Sequence, residues 1–227
     1  MPTCLVTGAS RGLGLEFVKQ YAAEGWRVIA TCRRPEQAPA LTALQGDVRI
    51  EPLDVTDFAR IETLGRRLDG LPIDLVINNA GIYGPRVTRY DSVDYAAWPE
   101  VLRVNVMAPL KVTAVLAPNL AASGLRIAVG ISSLMGSIED NTSGGSYIYR
   151  SSKAALHAVT RSLAIDLRSK KIIVCVLNPG WVRTDMGGSA AMLDPFESVA
   201  GMRDVIARLT LRESGHFFNY DGTELPW

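Results

Sequence analysis

Short apolar runs recur along the chain, and stretches with apolar residues at every third or fourth position separate them. The run from Ile73 to Ile77 is nearly continuous, as expected for a strand that is buried on both faces of a sheet. On this basis we predict strands at residues 2–7, 25–31, 48–53, 73–77, 125–131, 171–177 and 216–220.

Helical periodicity lies between these runs. It starts near Leu15 after the first strand and predicts further helices over residues 58–68, 98–120, 146–167 and 194–211. Asp57 or Thr56 is placed to cap the helix that begins at residue 58. Because strands and helices alternate throughout, we predict an α/β fold. We expect a single domain over residues 1–227, with a doubly wound (Rossmann) parallel sheet of about seven strands and helices on both faces.

Composition and charge argue against several classes of partner and site. The 227 residues carry a formal net charge of +1, so no nucleic-acid partner is expected. The chain contains three cysteines: Cys4, Cys32 and Cys175. Because an odd number does not suggest a set of disulfides, we expect buried thiols in a reducing compartment. No leader precedes the first strand and no apolar run approaches ~20 residues, so we expect a cytoplasmic protein without membrane contact. His157 and His216 lack partners at ligand spacing, so no metal site is expected.

Tyr149 and Lys153 form the first candidate for chemistry. Four residues apart on a predicted helix, they lie on the same face and present a phenol beside an ammonium. A neighbouring cation stabilises a phenolate, which predicts a lowered pKa for Tyr149 and a role in acid catalysis. An aromatic residue and a lysine can also share a helix face by accident.

A glycine-rich turn follows the first strand, with Gly8, Gly12 and Gly14 ahead of a predicted helix. Such a turn lets backbone amides and a helix N-terminus approach a pyrophosphate. Glycines also make ordinary turns between strands and helices, so this segment alone leaves both readings open.

Basic residues follow the end of the second strand, and we call Arg33, Arg34 and Arg11 together the basic corner. An acidic residue near this position accepts hydrogen bonds from the ribose hydroxyls of NAD, whereas a 2′-phosphate calls for arginine. Here Arg33 and Arg34 follow the strand, and Arg11 reaches from the glycine turn. These residues favour the extra phosphate through bidentate hydrogen bonds. The alternative is a solvated basic corner.

Three further strand ends carry polar or small residues. Asp54 follows the third strand, where its carboxylate can accept from an adenine amino group. The run Asn78-Asn79-Ala80-Gly81 either leaves room for a flat cofactor and ties adjacent loops together or forms a plain Asx turn. Ser132 and Ser133 end the fifth strand, at the edge where open parallel sheets place ligands.

Asn105 lies among apolar neighbours in the helix predicted over residues 98–120. Pro109 and Pro118 predict a kink or an irregular turn in that helix. A buried asparagine needs hydrogen-bond partners, and this one satisfies either a distorted backbone or a water near the site.

Taken together and in this order, these motifs resemble the classical short-chain dehydrogenase/reductase family. They are Thr7-Gly8-x-x-x-Gly12-x-Gly14, Asn78-Asn79-Ala80-Gly81, Asn105, Ser133, Tyr149-x-x-x-Lys153 and Pro179-Gly180. The likeness covers essentially the whole chain. The long loop after Ser133 and the ending Asp221 to Trp227 are similar to the C-factor/sniffer-type carbonyl reductase branch.

The resemblance implies a catalytic set. Tyr149 is the general acid in reduction, Lys153 lowers its pKa and holds the nicotinamide ribose, and Ser133 donates to the substrate carbonyl. Asn105 positions a water that links Lys153 to solvent. Ser133 lies further ahead of Tyr149 than in the usual family pattern, so Ser132 remains an alternative.

The resemblance also implies a cofactor site for NADP(H), with NAD(H) less favoured. Thr184 engages the nicotinamide carboxamide in this reading. The residues implied in cofactor binding are Gly8, Ser10, Arg11, Gly12, Leu13, Gly14, Arg33, Arg34, Asp54, Val55, Asn79, Ala80, Gly81, Tyr149, Lys153, Pro179, Gly180, Val182 and Thr184.

The implied substrate is a small carbonyl compound or alcohol. The segment after Thr184 is shorter than in many relatives, which predicts an open pocket and tolerance of bulky substrates. Apolar candidates for its wall, any of which could instead be core residues, are Leu134, Met135, Tyr147, Trp181, Met186 and Met192.

Two other properties follow from the resemblance. Relatives associate through the helices that match residues 98–120 and 149–167 here, so we expect a homo-oligomer, either a dimer or a tetramer. Likeness to the C-factor also raises an alternative function, a nucleotide-binding signalling protein in which reductase activity is incidental.

Overall fold

The computed structural model describes residues 1–87 and 89–227. Seven strands form one sheet with parallel pairing throughout, in the order β3-β2-β1-β4-β5-β6-β7. They are β1 (Thr3–Thr7), β2 (Arg27–Cys32), β3 (Val48–Pro52), β4 (Leu75–Asn78), β5 (Ile127–Ile131), β6 (Ile173–Asn178) and β7 (Phe217–Asn219). The predicted doubly wound sheet is confirmed, with small shifts at the strand ends.

The order of the strands reverses between β1 and β4. The chain runs outward from β1 to β3, crosses to β4 and then runs outward on the other side. In open parallel sheets ligands bind outside the carboxyl ends of the strands at this switch point. The segments that follow β1, β4, β5 and β6 therefore lie where a ligand is expected.

The helices agree with the predicted pattern, apart from one short addition. They are α1 (Gly12–Ala23), α2 (Pro39–Thr42), α3 (Phe58–Arg67), α4 (Trp98–Leu102), α5 (Ala108–Ala121), α6 (Tyr147–Asp166) and α7 (Pro195–Arg208). Asp57, rather than Thr56, caps α3 and accepts from the Arg60 N–H at 3.1 Å. The sequence did not predict α2, because a single helical turn shows no periodicity.

Alternate residues of β1 face two separate cores. Cys4 and Val6 of β1 pack with α1 and α7, while Leu5 between them packs with α3, α5 and α6. Helices thus cover both faces of the sheet, as predicted. Burial of these apolar side chains stabilises the packing of the helices on the sheet. Cys4, Cys32 and Cys175 are all free and buried, in agreement with the prediction of core thiols.

The helix predicted over residues 98–120 is interrupted near one proline only. Residues 103–107 form a π turn, in which the Ala108 N–H donates to the Arg103 carbonyl. Pro109 has no N–H to donate to the carbonyl of Asn105, four residues earlier, which explains the widened turn. Pro118 lies inside α5, which continues to Ala121, so the predicted interruption there is wrong.

The same stretch corrects an expectation about membranes. Residues Trp98–Ala121 are long and apolar enough to cross one, with a mean hydropathy of 1.3 in the most apolar window. In this fold 56% of that window is buried, because α5 packs against β4 and α3. Packing against the sheet accounts for its apolar character. A cytoplasmic location stays a prediction.

Candidate active site

Thr7 and Asn79 join the loops that follow β1 and β4. The Asn79 side-chain amide donates to the carbonyls of Thr7 and Gly8 at 2.9 and 3.1 Å. The Thr7 hydroxyl accepts from the N–H groups of Asn79 and Ala80 at 3.0 and 3.1 Å. Asn79 therefore ties adjacent loops together, as one of the two sequence interpretations predicted, and is more than part of a local Asx turn.

The glycine turn exposes backbone donors at the switch point. Gly8 and Gly12 have positive φ angles of +67° and +56°, a region that disfavours residues with a Cβ. No side chain caps the N-terminus of α1, and its first turn contains no acidic residue. The first N–H groups of this twelve-residue helix suit an anionic ligand such as a pyrophosphate.

Gly14→Ala is expected to destabilise the fold. Its Cβ would lie 2.3 Å from the Gly8 carbonyl oxygen and 2.5 Å from the Asn79 amide nitrogen, so the turn would have to open. Overpacking of this kind costs about 1–3 kcal/mol, which urea unfolding measures. Gly124→Ala is the control, because its Cβ would meet only the Asp74 carboxylate at 3.6 Å. Equal unfolding free energies for the two variants would contradict the close packing at Gly14.

The three arginines of the basic corner, predicted to favour a 2′-phosphate, have different surroundings. Arg33 and Arg34 are exposed just beyond β2. Arg11 forms an exposed ion pair with Asp185 at 3.3 Å, and its contact with a 2′-phosphate stays a prediction.

Asp54 remains ionised beside this corner. Partial burial acts against the charge, but the Thr56 N–H and hydroxyl donate to its Oδ1 at 2.9 and 2.7 Å, and Arg33 lies near. The net effect lowers the pKa of Asp54. A charged carboxylate at the end of β3 suits the predicted contact with an adenine amino group, and the buried Val55 follows it.

Ser132 and Ser133 face different surroundings. The Ser133 hydroxyl accepts from the Met135 N–H at 3.1 Å and lies close enough to the Tyr149 phenol to lower its pKa. The Ser132 hydroxyl is buried and lies 2.6 Å from Nε2 of His157. Adjacent residues at a strand end point in opposite directions. Ser133 is therefore the serine that shares a site with Tyr149.

Tyr149 does not have the lowered pKa that the sequence predicted. Burial of the phenol raises the pKa of Tyr149 to about 12; Ser133 acts to lower it and Tyr83 acts to raise it further. Desolvation penalises the phenolate, and this outweighs the help expected from Lys153. The phenol thus holds its proton at neutral pH, which is the form that a proton donor needs.

Lys153 lies beside Tyr149 on α6, as the spacing predicted. Its ammonium is 5.6 Å from the centre of the Tyr149 ring and donates to the Ile131 carbonyl at 2.8 Å. Burial lowers the pKa of Lys153 to about 8. The ammonium therefore carries its charge at neutral pH and contacts the end of β5.

Asn105 supports the loop after β4. Its side chain accepts from the Ile82 N–H at 2.9 Å and donates to the Ile82 carbonyl at 2.8 Å and the Ser152 hydroxyl at 3.0 Å. A Cβ at Gly81 would lie 3.4 Å from the Asn105 oxygen and 3.8 Å from the Lys153 nitrogen. Both side chains thus approach Gly81, although the role of Asn105 toward a water stays a prediction.

The segment after β6 approaches the glycine turn. A Cβ at Gly12 would lie 3.6 Å from the Thr184 methyl group, so these two predicted cofactor residues face each other. The buried Val182 pairs with Leu193 in an isolated bridge. Gly180 has a positive φ of +78°, and the Pro179 carbonyl accepts from a side chain of α7. This packing fixes where Thr184 lies.

The short segment after Thr184 contacts the loops after β1 and β4, and the predicted open pocket stays a prediction. Arg11 from the loop after β1 pairs with Asp185. Arg86 from the loop after β4 donates to the Met186 carbonyl. The segment is therefore held from two sides, by contacts between residues that are distant in sequence.

Sequence reasoning missed Tyr83, which packs directly on Tyr149. The two rings stack with centroids 4.2 Å apart and an interplanar angle of 14°. The Tyr83 hydroxyl lies 3.0 Å from the Ser146 hydroxyl and contacts the Met135 sulfur at 3.8 Å. Its position just after Gly81, at the carboxyl end of β4, was the available signal.

The predicted substrate wall is partly exposed. Met135 lies at the site through its contact with Tyr83, and Leu134 precedes it in the same turn. Exposure excludes simple core packing for several of the others: Trp181 is 57% exposed, Met192 83%, Tyr147 39% and Met186 38%.

Comparison with known proteins gives concordant matches. A family model described as short chain dehydrogenase matches residues 2–192. The C-signal protein of Myxococcus xanthus is 46% identical over 156 residues, which cover 69% of this chain and 93% of that protein.

Solved structures match over the whole chain. Carbonyl reductase Sniffer of D. melanogaster superposes with a TM-score of 0.94 at 35% identity and full coverage of both chains. An NADPH-bound carbonyl reductase from chicken fatty liver gives a TM-score of 0.90 at 36% identity, covering 100% of this chain and 99% of that one. The arrangement of sheet and helices described above is thus shared with these enzymes.

Proposed function

Because the chain belongs to the short chain dehydrogenase family, we propose that it is an NADP(H)-dependent oxidoreductase that reduces carbonyl compounds to alcohols. The convergence of Ser133, Tyr149 and Lys153 at the carboxyl end of the sheet carries this proposal. Oxidation of NADPH in the presence of aldehydes, ketones and quinones, followed by absorbance, tests it.

The residues around the switch point fit a dinucleotide. The uncapped N-terminus of α1 offers N–H groups to a pyrophosphate, and Thr184 faces the same turn. When bound, the dinucleotide supplies the hydride. Asp54 and Val55 lie on the adenine side, and Asn79, Ala80 and Gly81 line the end of β4.

The protein supplies the proton and stabilises charge on the substrate oxygen. Tyr149, protonated at neutral pH, donates to that oxygen as negative charge builds on it. The Ser133 hydroxyl provides a second donor from the end of β5. The charged Lys153 adds a positive field behind the phenol.

Arg33→Ala is expected to raise the KM for NADPH about 10- to 100-fold and to change the KM for NADH little. The reason is the loss of a charge-assisted hydrogen bond to the 2′-phosphate, which NADH lacks. Steady-state kinetics with both cofactors measure the effect. Arg27→Ala is the control, because Arg27 pairs with Asp47 at the other end of β2. Equal changes for NADPH and NADH would refute the phosphate role.

The substrates are expected to have an apolar body. The Met135 sulfur contacts the Tyr83 hydroxyl, the Met186 carbonyl accepts from Arg86, and the two solved relatives described above are carbonyl reductases. A panel of ketones, aldehydes and quinones in which only compounds without an apolar body turn over would reject this expectation.

A second candidate function is signalling, favoured by the 46% identity to C-signal. In that case the nucleotide-binding fold would be retained and reductase activity would be incidental. Tyr149→Phe separates the two functions, because a signalling protein keeps its biological effect without turnover.

We also propose a cytoplasmic homo-oligomer, a dimer or a tetramer. Apolar side chains are exposed on the π turn, α5 and α6: Met107, Leu110 and Ile165 are 46%, 40% and 64% exposed. Helix faces of this kind suit contact with a second copy. Light scattering of the purified protein measures the assembly.

A further inference from the structure

The guanidinium of Arg86 lies over Tyr83, the ring that stacks on Tyr149. The guanidinium carbon of Arg86 is 4.6 Å from the centre of the Tyr83 ring, and that centre is 4.2 Å from the centre of the Tyr149 ring. The guanidinium carbon is therefore at most about 9 Å from the Tyr149 ring centre. Arg86 therefore lies near the stacked rings of the candidate active site.

The Arg86 side chain is held in place and keeps donors available. One terminal nitrogen donates to the Met186 carbonyl, and the ring of Tyr83 supports the plane of the group. A guanidinium has five N–H donors, so this single contact leaves most of them for another partner. Because the group is already positioned, binding a ligand costs little further side-chain entropy.

Arg86 differs from the other arginines of these loops in its partners. Arg11 pairs with Asp185 and Arg89 pairs with Asp91. Within residues 1–87 and 89–227, no carboxylate forms an ion pair with Arg86. An exposed guanidinium without an acidic partner is suited to a planar anion, which it binds through two parallel hydrogen bonds.

We propose that Arg86 forms a subsite for a carboxylate on the substrate, so that the preferred substrates are carbonyl compounds with an apolar body and an acidic group. This rests on the proposed reductase function and adds a substrate class to it. The apolar body lies against Met135 and Met186, the carbonyl meets Tyr149 and the carboxylate meets Arg86.

The test compares 4-carboxybenzaldehyde with benzaldehyde, with NADPH as the cofactor. The quantity measured is the ratio of kcat/KM for the acid to kcat/KM for the neutral aldehyde. Comparing this ratio between variants cancels the intrinsic reactivity of the two aldehydes. Arg86→Gln is expected to lower the ratio about 10-fold. Arg86→Lys should lower it less, because lysine keeps the positive charge but loses the two parallel N–H donors of the guanidinium.

Arg89→Gln is the matched control, because Arg89 lies in the same loop region and already has Asp91 as a partner. It should keep the wild-type ratio. Added salt should lower the wild-type ratio and leave that of Arg86→Gln nearly constant.

Three outcomes would overturn the subsite. Arg86→Gln could lower kcat/KM for both aldehydes by the same factor, which would assign Arg86 to bracing the Met186 segment. Arg89→Gln could lower the ratio as much as Arg86→Gln, which would indicate that positive charge anywhere on this surface attracts the acidic aldehyde. The wild-type protein could reduce neither aldehyde while it oxidises NADPH with other carbonyl compounds, which would overturn the subsite alone. If it oxidised NADPH with none of the aldehydes, ketones and quinones of the panel, the reductase function would fail as well.

Discussion

Replacing Tyr149 with phenylalanine is expected to lower kcat for carbonyl reduction about 10³-fold and to leave the Kd for NADPH nearly unchanged. The change removes the proton donor alone. A phenylalanine ring keeps the stacking on Tyr83 and the place of the side chain on α6. Stopped-flow or steady-state turnover gives kcat, and titration of protein fluorescence with NADPH gives the Kd.

Tyr90→Phe is the control for this experiment. Tyr90 is 76% exposed, and its hydroxyl has no part in the site. It should retain wild-type turnover. If Tyr149→Phe reduced carbonyls at the wild-type rate, the proton would have to come from elsewhere and the assignment of Tyr149 would be wrong. If turnover fell while a biological effect persisted, the signalling function would be favoured.

The fold was predictable because the strands are buried on both faces. Near-continuous apolar runs such as Ile73 to Ile77 distinguish such strands from helices, and their regular alternation with helical periodicity implies a parallel sheet. A one-turn helix such as α2 carries no period and could not be found. The sequence predicted a kink or an irregular turn near Pro109 but not that it would be a π turn, because a proline shows where a hydrogen bond is lost and not how the chain compensates.

The catalytic set was predictable only as a pattern of motifs. Spacing placed Tyr149 and Lys153 on one helix face, and the structure keeps them adjacent. Spacing could not decide between Ser132 and Ser133, because the direction of each hydroxyl depends on His157 and Tyr149, which come from α6. Only the packed fold separates the two serines.

The pKa values of Tyr149 and Lys153 could not be predicted from the sequence for a related reason. A neighbouring charge can be read from helical spacing, but the desolvation of a group depends on everything packed around it. Burial raises the pKa of Tyr149 to about 12 and lowers that of Lys153 to about 8, so both groups favour their neutral forms more than the sequence suggested. Tyr83 and Arg86 were missed because their contacts join loops that are distant along the chain.

Replacing Lys153 with methionine is expected to lower kcat about 10²-fold and to remove a pH dependence of both rate and stability. The pKa of Lys153 in the folded protein is about 8, against an ordinary value of 10.5. As pH rises through about 8 the ammonium loses its proton and the field behind the phenol disappears. The wild-type rate of reduction should therefore fall above that pH, whereas the residual rate of Lys153→Met should not show this step.

The same pKa shift predicts the stability difference between wild type and Lys153→Met. Between pH 8 and 10.5 the unfolded wild-type chain holds a proton on this lysine that the folded chain has released. Stability rises with pH wherever the unfolded state binds more protons, so wild type should gain about 3 kcal/mol relative to Lys153→Met across this window. Below pH 8 the cost of the buried charge is fully present, which lowers the stability of wild type there. Urea unfolding of both proteins at a series of pH values measures the difference.

Lys170→Met is the matched control, because Lys170 is exposed just beyond the end of α6. Its difference from wild type should stay constant across the same pH range, since no buried charge is removed. A flat difference for Lys153→Met as well would mean that the ammonium is solvated in the folded protein. That result would contradict the buried position behind Tyr149 on which the proposed mechanism depends.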